Sequence, residues 1–168
     1  MGQRFDDLIS GIEKAVMLVA YVTIILVVGL DTIRRMITGE QAPWGPEVAM
    51  GAFVWLSWFA MASGVRTGAH LSFTTLRDRM GPRLRQAMAV FDCLLWFGLG
   101  LVIIVVSWDV VELNQRFNQK IFGTEIPVAA ISIAVPIGWG FTMLRVAQQL
   151  VRVLRGETAP HLTAEDIR

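Results

Sequence analysis

Residues able to do chemistry are few in this 168-residue chain. The densest group is Gly64-Val65-Arg66-Thr67-Gly68-Ala69-His70, which closes the charge-free run VAMGAFVWLSWFAMAS. An arginine and a histidine four positions apart share one face of a helix. They suit a catalytic site, a metal site or a membrane boundary. A metal or haem site needs a cluster of ligands. The chain has two histidines, His70 and His161, and one cysteine, Cys93, and no two of them share an apolar segment. No phosphate-binding glycine loop, nucleophile elbow or zinc motif occurs. The residues therefore point to no enzyme, no cofactor and no resident metal. A net charge of +1 carries no nucleic-acid signature.

Asp92 is the other chemical candidate, the one charged residue well inside an apolar run. It follows Arg85 by about 10 Å of helix, which puts it in the inner half of a membrane. It suits either a proton or cation site, or a structural pair with Arg66 or His70. The pair is preferred, because one shallow acid makes a poor transport path. Replacing Asp92 by Asn is then expected to strand a cation and weaken folding or assembly.

The elements that must position these residues are apolar. Hydrophobic residues make up 54% of the chain, its mean hydropathy is positive, and soluble domains run nearer about 45–50%. The excess lies in four nearly charge-free segments, about 15–30, 48–65, 87–108 and 126–144. A membrane-spanning helix needs about 20 such residues. The chain therefore reads as all-α, an integral membrane protein with four transmembrane helices at about 15–33, 47–66, 87–108 and 127–149. They form one domain over 1–150, and a polar tail follows over 151–168. The first segment is not read as a signal peptide, because Asp6, Asp7 and Glu13 dilute its start and no cleavage site follows.

Charge distribution orients the spans, since lysine and arginine are retained in the cytoplasm. One side collects Arg4, Lys14, Arg66, Arg77, Arg79, Arg83, Arg85, Arg145, Arg152, Arg155 and Arg168; the other has only Arg34, Arg35, Arg116 and Lys120. Both termini and the middle loop are thus expected in the cytoplasm, with Trp44 and Trp108 at the outer interface. In the middle loop, Phe73, Leu76 and Met80 share a face over residues 72–80 before Gly81-Pro82, which predicts a short interfacial helix. At the outer side, Pro46 and Glu47 suit the first turn of the second span, and Arg35 is expected to pair with Glu47. The stretch after Trp108 is expected to continue the third span as a helix beyond the membrane.

Small residues recur at Ala60, Gly64 and Gly68 and at Ala130, Ala134 and Gly138, a spacing that lets helices approach closely in lipid. Pro136 is expected to bend the fourth span. Trp55, Trp58 and Phe59 face either lipid or another membrane protein, and the sequence leaves both open.

The run Arg35-Met36-Ile37-Thr38-Gly39-Glu40-Gln41-Ala42-Pro43-Trp44-Gly45-Pro46-Glu47 resembles the small membrane (Q, DctQ-type) subunit of tripartite ATP-independent periplasmic (TRAP) transporters. There an arginine ends the first span, and Pro-Trp and a glutamate open the second. Arg66-x-Gly68-x-His70 is similar to the close of the family's second span, and Pro127, Pro136 and Gly138 to its last helix. The resemblance covers about 15–150. Met36 and Thr38 replace frequent aromatic residues, and Thr74 replaces a frequent acid. The resemblance implies a bacterial inner-membrane subunit of a sodium-coupled uptake system for organic acids. Its partners would be a large elevator-type membrane subunit, a periplasmic solute-binding protein and membrane lipids. The small subunit would act as scaffold and docking aid and transport nothing alone. In this setting Arg66, Gly68 and His70 mark the inner membrane boundary. Two alternatives stand beside it, a stand-alone four-helix multidrug exporter and a membrane assembly protein without transport. The exporter needs an acid embedded in the first span, and Glu13 precedes that apolar run.

Overall fold

The computed structural model describes residues 2–67 and 81–154. Its helices are α1 (Gly2–Thr38), α2 (Gly45–Thr67), α3 (Pro82–Arg116), the short α4 (Ala129–Ser132) and α5 (Ala134–Leu154). Four stretches are long and apolar enough to cross a membrane: Asp6–Thr38, Gly45–Val65, Gln86–Arg116 and Ala129–Val151, the last joining α4 and α5. The protein is all-α with four spans. Among the described residues, β pairing is confined to one bridge between Lys120 and Pro127.

Local sequence sets the helix ends. α1 stops at Gly39, whose positive φ of 74° suits glycine and whose N–H donates to the Arg35 carbonyl at 3.0 Å. α3 starts at Pro82, where the missing N–H costs nothing. It runs on to Arg116, past the apolar segment, as expected. The bend anticipated at Pro136 occurs as a break between α4 and α5. Pro136 has no N–H for the Ser132 carbonyl, and its ring crowds that turn.

α2 packs against α1 and α5, and α5 packs against α2 and α3. α5 is the most enclosed span and α1 the least. A ladder of rings fills the middle. Trp139 of α5 meets Trp58 of α2 at 6.0 Å and Trp96 of α3 at 5.7 Å, and Phe59 meets Phe141 at 5.1 Å. Trp55 stacks on Phe59 at 5.8 Å. The backbones must come close for these rings to mesh. A Cβ on Gly138 would lie 2.5 Å from the Trp58 Cβ, and one on Gly100 would lie 3.0 Å from Met143.

This packing gives Trp55, Trp58 and Phe59 a role within the chain. Phe59 is buried, the two tryptophans are half-buried, and all three turn onto their own chain. Of the two small-residue rows, Ala134 and Gly138 lie in the packed interior, whereas Ala60 and Ala130 are exposed.

Two polar levels frame the apolar bundle. The end that carries residues 39–44 and 117–128, here the loop end, has Asp31 and Glu47 at its edge. The opposite, terminal end has Glu13 and Arg145. From Glu13 to Asp31, α1 rises about 27 Å, close to the roughly 30 Å hydrocarbon core of a bilayer.

Candidate functional site

At the terminal end, Asp6, Ser10 and Glu13 follow one another at i, i+4 and i+7 on α1, so they form one polar stripe. α5 brings Arg145 and Gln148 against it. Arg145 Nε donates to Glu13 Oε1 at 2.9 Å, and Nη2 donates to Glu13 Oε2 at 2.9 Å. This is the planar fork that makes arginine–carboxylate pairs strong. Nη2 also donates to Ser10 Oγ at 2.9 Å, and Nη1 donates to Gln148 Oε1 at 3.1 Å and to Asp6 Oδ1. The Ser10 hydroxyl in turn donates to the Asp6 carbonyl at 2.7 Å. A guanidinium has five N–H donors, and all five are used. Arg145 is 2% exposed and Glu13 1%.

The cluster overturns two expectations. Arg145, counted from the sequence among the charges of the cytoplasmic side, lies inside α5 and is buried. Glu13 does not merely precede the first span, because α1 is continuous from Gly2 and carries Glu13 into the protein interior. The stripe spacing on α1 was the available signal. Searching for charge inside apolar runs passes over it, because the acids lie just outside the apolar run.

At the loop end, the two connections form one interlocked layer. Asp31 Oδ1 accepts the N–H of Ala42 at 2.6 Å, and Glu47 Oε2 accepts the N–H of Phe122 at 3.1 Å. The longer connection folds back on itself: the Ile121 N–H donates to the Ile126 carbonyl and the Val128 N–H to the Gln119 carbonyl, each at 2.9 Å. Gly123, at φ 76°, lies against Pro43 and the half-buried Trp44. Ala42 and Ile121 are buried. Below them, Trp55 Nε1 donates to the Ala130 carbonyl at 3.1 Å, and Asn114 Nδ2 donates to Ser132 Oγ at 2.7 Å.

The expected Arg35–Glu47 pair does not form. The Glu47 carboxylate is taken by the Phe122 backbone, and Arg35 is exposed in the last turn of α1. Asp92 is half-buried on α3, next to buried Cys93. The side chain of Arg66, together with Gly68, His70 and the helix expected over 72–80, lies outside the described residues. Among the described residues, no group of three His, Cys, Asp or Glu is placed to hold a metal ion.

Residues 24–156 match the family model described as tripartite ATP-independent periplasmic transporters, DctQ component. The C4-dicarboxylate TRAP transporter small permease protein DctQ of Pseudomonas aeruginosa is 27% identical over 69% of this chain and 57% of its own length. The protein of the same name from Rhodobacter capsulatus is 27% identical over 73% of this chain and 54% of its own. The isethionate TRAP transporter permease protein DctMQ of Oleidesulfovibrio alaskensis is 20% identical over 87% of this chain and 24% of its own. The chain thus spans little more than half the length of the two small permease proteins it matches.

Proposed function

From the chain's membership of the DctQ family of TRAP transporters, a family of transport components and not of enzymes, we propose that it serves as the static scaffold of a three-component uptake system. It is a multi-pass inner-membrane protein. In the proposed arrangement the termini and the middle loop are cytoplasmic and the loop end faces the periplasm. A larger membrane subunit carries the solute, an organic acid, together with sodium. A soluble periplasmic protein delivers the solute to the loop end. Asp92 faces Arg66 or His70 at the inner boundary.

The observation that carries this reading is the state of the interior. The buried Arg145–Glu13 cluster uses every guanidinium donor within the chain. The middle of the bundle is closed by the ladder of aromatic rings. Solute paths need polar groups free to replace water, and these are committed to structure. The same observation disfavours the small-exporter alternative, because its candidate acid, Glu13, is held in a fork by Arg145. The match to part of the DctMQ permease protein, within a much longer polypeptide, supports work beside a larger permease. The positive-charge bias supports the orientation and survives the transfer of Arg145 to the interior.

Reconstitution in proteoliposomes tests the proposal. Uptake is expected to require this chain, the large subunit and the soluble protein, and to run on a sodium gradient without ATP. Robust uptake or drug export by this chain alone would overturn the scaffold reading.

A further inference from the structure

We draw no further inference here: the strongest candidate, the buried indole N–H of Trp139 that lacks a hydrogen-bond partner among the described residues where α2, α3 and α5 meet, packs against the rings of Trp58 and Trp96, and nothing in the structure shows what ligand it would take.

Discussion

Glu13→Gln leaves the Arg145 guanidinium buried with its fork half-filled. Breaking a buried ion pair from one side costs about 3–5 kcal/mol, enough to threaten a marginally stable membrane subunit. Replacing both partners, with Glu13→Leu and Arg145→Met, removes the stranded charge and is expected to recover much of that loss. Thermal unfolding in detergent of the two single variants and the double variant checks this. A single variant as stable as the parent would show that the cluster is not a structural tie. Asp6→Asn should cost less, because the Asp6 side chain is 27% exposed and partly hydrated. Glu47 at the first turn of α2 was legible as a helix-start acid, but its partner is a backbone N–H contributed by Phe122, 75 positions away. No charge-matching rule finds a peptide group, so Arg35 was assigned to it instead. Asp31 also holds a peptide N–H, that of Ala42, for which side-chain chemistry gives no signal.

Helices were the most legible element, since each span is a nearly charge-free apolar run bounded by glycine, proline or charge. Which face of each run turns inward was less visible. In lipid the outside is as apolar as the inside, so hydrophobic periodicity loses its meaning. Trp58 and Phe59 therefore looked equally suited to lipid. Gly138 was the useful clue, because a missing side chain marks where a bulky neighbour must come close. Gly138→Ala should press a methyl group into Trp58 and cost about 1–3 kcal/mol by overpacking. Trp58→Gly in the same chain removes the Cβ that the methyl group meets and should relieve part of the clash, and a double-mutant cycle on unfolding measures the coupling. Additive losses would mean that α2 and α5 do not meet through this pair. Pro136→Ala has a different expected outcome: restored helical continuity from Ala129 to Leu154, read as protection of the new amide at position 136 and slowed exchange at its neighbours.

The whole molecule is a central pair, α2 and α5, flanked by α1 and α3. Its orientation is a testable consequence of charge bias. A single cysteine at Gln41, in a Cys93→Ser background, should react with an impermeant maleimide added outside spheroplasts, and one placed after Leu154 should react only after the membrane is opened. The reverse pattern would invert the assignment of the loop end. Family membership was readable at this scale because several weak motifs lie in register along most of the chain, from Pro43-Trp44-x-x-Glu47 to Arg66-x-Gly68-x-His70. The tie between the first and last spans was not readable, since it joins residues 132 positions apart.

That separation has a consequence for how the protein is made. The ribosome makes Glu13 132 positions before Arg145, so while α2 and α3 are being made α1 carries an acid whose counter-ion does not yet exist. Glu13 is expected to stay at the membrane edge while the second and third spans insert. The arrival of α5 is then expected to draw it inward. In a Cys93→Ser background, nascent chains stalled before residue 145 should leave a cysteine at Ile9, one turn from Glu13 and buried in the folded protein, open to water-soluble reagents, and chains extended past α5 should protect it. Protection already complete in the shorter chains would show that α1 settles without its late partner. On this expectation the cluster closes only once the span that carries Arg145 is in place.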